Sequence, residues 1–155
     1  MPASTSKLNS NSYLHVQNIF FFFQEVKVNL ANRTELKKYI QSIFRKEGKK
    51  LESINYIFCT DKILLEINLQ YLSHDFYTDI ITFDLSETNA VRAEIFISVD
   101  RVKENAIQLG VSFKSELHRV VFHGALHLCG YKDKTKTEKE RMRRKEEFYL
   151  KKYNL

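Results

Sequence analysis

Alternation of apolar and polar positions divides the chain into short strands and amphipathic helices. "FFFFQEVKV" alternates and is rich in β-forming residues, which predicts a first strand. "NRTELKKYIQSIFRKEG" puts Leu36, Ile40, Ile43 and Phe44 on one helical face, with Asn32 placed to cap it, Glu35 three residues on, and Gly48 at its stop. "SINYIFCT" reads as a strand, and "DKILLEINLQYL" as a helix capped by Asp61 with Ile63, Ile67 and Tyr71 on one stripe. "DIITFDL" sets Ile81, Phe83 and Leu85 against Thr82 and Asp84, while "AEIFISV" alternates Ala93, Ile95, Ile97 and Val99. Their short connection predicts an antiparallel hairpin. "DRVKENAIQLG" is a helix between an Asp cap and a Gly stop, and "FKSELHRVVFHGALHLCG" a longer, mostly apolar helix ending at Gly130. "KTKTEKERMRRKEEFYLKKY" is a charged helix with Thr135 and Glu138 in capping-box spacing. The order β-α-β-α-β-β-α-α-α predicts an α+β fold, a mixed four-stranded sheet packed against about five helices.

Composition adds bounds to this pattern. The 155 residues suit one domain, and 43% of them are hydrophobic, enough for a sizeable core. No repeat or Pro/Gly-rich linker divides the chain. The polar start "MPASTSKLNSNS" predicts a flexible tail over 1–12 and a domain over 13–155. It lacks the basic start and apolar stretch of a signal peptide. The longest aromatic run, "IFFFF", falls far short of the roughly 18 apolar residues that cross a bilayer. A cytoplasmic protein without a membrane partner is expected. Cys59 and Cys129 sit in apolar segments and imply no disulfide framework. Net charge is +6, and from Lys132 to Leu155 ten Lys or Arg face five Asp or Glu. That excess fits either a phosphate-bearing partner or a solvated helix face with i,i+4 pairs.

The basic excess follows directly on "HGALHLCGYKD", His123 to Asp133. Residues i and i+4 of a helix share a face about 6 Å apart at Cβ. His123 and His127 can therefore hold one ion, each through a neutral imidazole nitrogen about 2.0–2.1 Å from zinc. Gly130 permits the chain to turn back, because glycine takes positive φ without steric penalty. Asp133 can then bring a carboxylate oxygen, and three protein ligands leave a fourth position for water, the catalytic arrangement. A His pair alone also occurs in cores by chance; the Gly and the carboxylate at these offsets favour a metal. His118 reads as structural, His74 as lining a cleft, and Cys129 as a small buried hydrophobe. The spacing imitates the protease motif H-E-x-x-H-x-x-G-x-x-H, in which the Glu is the general base. Here Gly124 takes that place, so peptide hydrolysis lacks its proton acceptor and the glycine points instead to close backbone packing.

"FHGALHLCGYKD" resembles the signature H-G-x-L-H-L-x-G-Y-D-H of the YbeY family, metal-dependent endoribonucleases that act as rRNA maturation factors. "EINLQYLSHDFYTDIITFDL" is similar to that family's L-N-x-x-Y-R-x-K-D-x-P-T-D-V-L-S-F-P stretch, and "AEIFISVDRVKENA" to its G-D-I-x-I segment. The resemblance runs from about Phe20 to Tyr149. It implies one Zn2+ held by three protein ligands plus water, cleavage of single-stranded RNA, and work on the small ribosomal subunit at the rRNA 3′ end. The first two ligands carry over to His123 and His127; the family's third His falls on Asp133 and its preceding Asp on Lys132. An Asp also ligates zinc, though its charge reduces the ion's Lewis acidity. The family's cleft arginine after Tyr71 falls on Leu72, leaving Lys132, Lys134 or Arg92 as candidate replacements for its charge. Thr78 and Asp79 match the family's T-D pair; they fit either a cleft role or a strand start and a turn hydrogen bond. The cleft is expected to include Thr78, Asp79, His74 and Lys132.

The reading that follows is metal-assisted phosphodiester hydrolysis, with the basic C-terminal region holding the RNA backbone. Its rival is a ribosome-assembly factor that binds pre-rRNA and cuts it weakly or not at all, which Leu72 keeps open. A purely structural zinc would need a fourth protein ligand.

Overall fold

The structure, a computed structural model, describes residues 18–155, so the tail expected over 1–12 lies outside the described residues. Its elements run β1 (Ile19–Phe23), α1 (Arg33–Lys46), β2 (Lys50–Cys59), α2 (Asp61–Leu72), β3 (Ile80–Asp84), β4 (Ala90–Ser98), α3 (Val99–Leu109), α4 (Phe113–Leu128) and α5 (Lys136–Lys152). That is the element order expected from the apolar pattern. The sheet has the strand order β1-β2-β4-β3, with β1/β2 and β2/β4 parallel and β3/β4 the expected antiparallel hairpin. It is therefore a mixed sheet, and with five helices the α+β class holds.

Period-two alternation decides which side chains meet. Val91, Ala93, Ile95 and Ile97 of β4 join Ile54, Tyr56 and Phe58 of β2 in one core with Val120, Val121, Phe122, Ala125 and Leu126 of α4. The Tyr56 hydroxyl donates to the Val121 carbonyl at 3.2 Å, which satisfies the polar end of this fully buried side chain. A second cluster joins Leu64 of α2 to Cys59 and Ile81, with Ile63, Ile67, Phe83 and Phe96 packed against it. Among the described residues no helix is long and apolar enough to cross a membrane.

Gly124 shows why the first His of the motif is followed by glycine. A Cβ built there would lie 2.9 Å from Ile80 Cδ1 and 3.1 Å from Ile95 Cδ1, so the α4 backbone rests directly on β3 and β4. Ile95 is fully buried and has no room to retreat. Gly124→Ala is expected to cost up to about 2 kcal/mol in urea unfolding. Overpacking costs about 1–3 kcal/mol, and a gain of about 1 kcal/mol in helix propensity offsets part of it. A glutamate at this position, as in the protease motif, would drive a carboxylate into the core.

Local details differ from the sequence expectations at several helix starts. Asn32 lies in the left-handed region (φ 52) and makes no side-chain cap. Thr60, not Asp61, caps α2 by accepting from the Ile63 N–H, because Asp61 is drawn to Arg101, 2.9 Å away. Ser98 caps α3 in place of Asp100, whose carboxylate accepts instead from the Asp61 N–H. The expected stripe on α2 is shifted: Leu64 and Asn68 are buried, whereas Tyr71 is 63% exposed. β1 ends at Phe23, before Val26 and Val28, because Glu25 adopts φ 57. Val99 opens α3 instead of ending a strand, and Leu85 lies beyond β3. The Thr135/Glu138 capping box forms in full.

Candidate metal centre

α4 ends one residue before Cys129, and Gly130 (φ 102) then reverses the chain. The reversal brings the Tyr131 carbonyl to His127 Nδ1 at 2.8 Å and Asp133 Oδ2 to 3.3 Å from both His123 Nε2 and His127 Nε2. The two Nε2 atoms are themselves 2.9 Å apart. The structure thus joins the three residues expected as ligands, with one ligand atom of each within 4.8 Å of the others.

Hydrogen bonding fixes what these atoms can do. A carbonyl only accepts, so His127 Nδ1 carries a proton and its Nε2 presents a lone pair. His123 Nδ1 donates to Glu146 Oε1 on α5 at 2.5 Å, which leaves its Nε2 in the same state. With both rings neutral, two imidazole lone pairs and a carboxylate oxygen converge here, an arrangement that favours a cation. A tetrahedral ion with ligands at about 2.0–2.1 Å needs donor atoms roughly 3.3 Å apart, close to the separations present. The donor set fits zinc or another divalent transition metal.

Glu146 is a side chain the sequence reading missed. It is 6% exposed and also accepts from Arg119 Nη1 at 3.3 Å. Arg119 in turn forms a two-pronged pair with Glu116, at 2.9 and 2.6 Å, and lies 3.8 Å from Asp79. Carboxylates behind metal-ligating imidazoles fix ring orientation and raise ligand basicity. One signal was available: Met142, Glu146 and Tyr149 form the buried stripe of α5, and Glu146 is the lone charge in it.

A cleft of about 670 Å³ opens beside the three residues. His123, His127, Asp133, Thr78, Asp79, His74, Leu72 and Lys134 all line it. Thr78 and Asp79 thus stand in the cleft, although each also has a local bond. The Thr78 hydroxyl donates to the Ile80 carbonyl at 3.4 Å, and Asp79 accepts from Asn105 at 3.2 Å. Burial pushes the Asp79 carboxyl up from its ordinary value, against the opposing pull of Arg119 and His123. A raised folded-state pKa means that Asp79 favours folding most below the ordinary carboxylate range, and that contribution is lost as pH rises through the raised value. Lys132 is absent from the lining of this cleft and instead borders an adjoining groove together with His127, Asp133 and Lys134. Arg92 does not line the cleft either; its guanidinium lies 4.0 Å from Glu87.

The two remaining candidates hold their bland roles. His118 is buried, with Nδ1 on the Lys114 carbonyl at 2.6 Å and its ring stacked on Tyr153. Burial pushes the Cys129 thiol up to about 12, far from the thiolate a metal would need.

Comparison with known proteins shows the family. A family model described as Endoribonuclease YbeY matches residues 21–154. A protein of Cytophaga hutchinsonii named Endoribonuclease YbeY is 50% identical over 135 residues, covering 86% of this chain and 94% of that protein. One of Christiangramia forsetii with the same name is 47% identical over 126 residues, covering 81% and 88%. A Thermotoga maritima protein solved in solution superposes with a TM-score of 0.61 at 30% identity, over 85% of this chain and 86% of that one. With the match spanning nearly every described element, the chain belongs to the Endoribonuclease YbeY family.

Proposed function

We propose that this protein is a zinc-dependent endoribonuclease that cuts single-stranded RNA in maturation of the small-subunit rRNA 3′ end, in the cytoplasm and on or near the small ribosomal subunit. The observation that carries the reading is the convergence of three ligand atoms, one each from His123, His127 and Asp133, on one wall of an open cleft. A divalent ion held there supplies Lewis acidity at a phosphoryl oxygen and acidifies water. The chain's own residues do the rest. Glu146 and the Tyr131 carbonyl hold the two imidazoles in the tautomer that presents Nε2. Lys134 brings a positive charge to the cleft for phosphate, and Asp79 lines it as a carboxyl of raised proton affinity. The basic excess over 132–155 favours an RNA backbone with little sequence preference.

Asp133→Ala is expected to lower bound metal and RNA cleavage together, read by metal analysis and by gel assay of the same preparation. Retention of both would remove Asp133 from the site.

One observation favours a second reading. Leu72, 41% exposed, occupies the cleft wall where the family pattern carries an arginine. A cleft short of that charge suits an assembly factor that binds pre-rRNA without cutting it efficiently. Turnover on RNA spanning the immature rRNA 3′ end decides: wild-type cleavage that His123→Ala abolishes supports the nuclease, and equal cleavage by both points to a contaminant and to the binding role.

A further inference from the structure

The segment joining α2 to β3 forms one wall of the cleft, and it carries aromatic rings that no core requires. Phe76 is 56% exposed, and the His74 imidazole lies 5.0 Å from its ring with the planes 21° apart. Both line the cleft that holds His123, His127 and Asp133.

The segment is also held in place from below. Asn68, 1% exposed within α2, donates through side-chain Nδ2 to the Phe76 carbonyl at 2.9 Å, while its backbone carbonyl accepts from the His74 N–H at 3.2 Å. Ser73, in the left-handed region at φ 55, turns the chain between these anchors. A single buried amide residue thus fixes both ends of the ring pair. The result is a stacked, solvent-facing surface whose ordering is complete before any ligand arrives.

We propose that His74 and Phe76 form a stacking platform for unpaired bases of the RNA strand whose phosphate meets the metal centre, an inference that rests on the endoribonuclease reading above. Every base has a π-face, so stacking on aromatic rings binds single strands with little regard to sequence. Bases paired in a duplex are stacked already and cannot be splayed onto such a wall. Lys134 offers a charge for phosphate in the same cleft, whereas the wall itself presents Leu72, His74 and Phe76. Binding that the missing arginine does not supply is drawn here from rings, and the platform selects unpaired RNA.

The test is a cycle between protein and strand, read by fluorescence anisotropy. The probes are a short, labelled 2′-O-methyl oligonucleotide and an abasic strand of the same length and charge. Wild type should bind the base-bearing strand more tightly than the abasic one. Phe76→Ala should weaken the first by about tenfold or more, leave the second unchanged, and keep the salt dependence, since no phosphate contact is lost. Phe76→Trp should restore binding. Lys134→Ala should instead weaken both strands alike and flatten the salt slope. Equal affinity of Phe76→Ala and wild type for the base-bearing strand would overturn the platform and leave the ring pair to another partner. An equal loss on both strands would overturn it as well, by showing a merely structural role. If wild type binds neither strand, the endoribonuclease reading itself falls and the platform with it.

Discussion

His123→Ala is expected to abolish metal binding at the centre and to lower RNA cleavage by at least about 100-fold. Losing a carboxylate that merely orients a ligating imidazole costs about 10–100-fold; losing the imidazole removes the ligand as well as its support. In this chain the substitution also leaves Glu146 without the Nδ1–H that it accepts and separates His127 from the nearest of its two partners at Nε2. Because His123 is partly solvent-facing, at 14% side-chain exposure, the fold should survive. Metal analysis with circular dichroism on the same sample checks both halves. A variant that unfolds would assign His123 to stability first; one that keeps metal and cleavage would remove it from the site.

Arg119→Met should give the largest loss of stability of any substitution near the centre, about 3–5 kcal/mol. Removing one partner of a buried ion pair leaves the other charge uncompensated, which costs about that much. Here one guanidinium serves Glu116 and Glu146, both buried, and stands near Asp79. Without it three carboxylates share one corner of α4, α5 and the start of β3. The sign with pH follows from their charge: as pH falls, protons neutralise the carboxylates in place of the missing cation and the penalty shrinks. Urea midpoints at neutral and acid pH should therefore converge for variant and wild type. A constant difference across pH would show that packing, not charge, is what Arg119 contributes. Glu146→Gln should act more gently on the fold yet still cost about 10–100-fold in metal affinity, since a neutral amide supports the His123 ring less well than a carboxylate.

The two substitutions mark the boundary of what could be read from the chain. His123, His127, Gly130 and Asp133 lie within eleven residues, so helix periodicity and one glycine turn suffice to place them together. The Thr135/Glu138 box is equally local, and it forms. Glu146 reaches His123 across 23 residues, and Asn68 pins a loop beyond its own helix. Periodicity marks Glu146 as the charge in the buried stripe of α5, but the partner of each residue is decided by docking of α5 on α4 and of a loop on α2. The same reason explains the misplaced cap at Asp61. Thr60 and Asp61 both make good caps in isolation, and Arg101, forty residues on, draws Asp61 away. Lys132 borders the groove next to the cleft, beside His127 and Asp133, a distinction of one turn position that residue spacing alone does not resolve. Gly124 is the opposite case: the missing glutamate was legible as chemistry absent, and contact with Ile80 and Ile95 supplies the reason for the glycine.

The central claim is that His123, His127 and Asp133 hold an ion on which RNA cleavage depends. Metal content and cleavage of RNA spanning the immature rRNA 3′ end, measured on one untagged preparation before chelation, after it, and after addition of zinc, test that claim most directly. About one ion per chain is expected, matching the single three-residue group among the described residues. Chelation should remove ion and cleavage together, and zinc should restore both. Cleavage at the full rate by protein stripped of its metal would rule out a catalytic ion at this site.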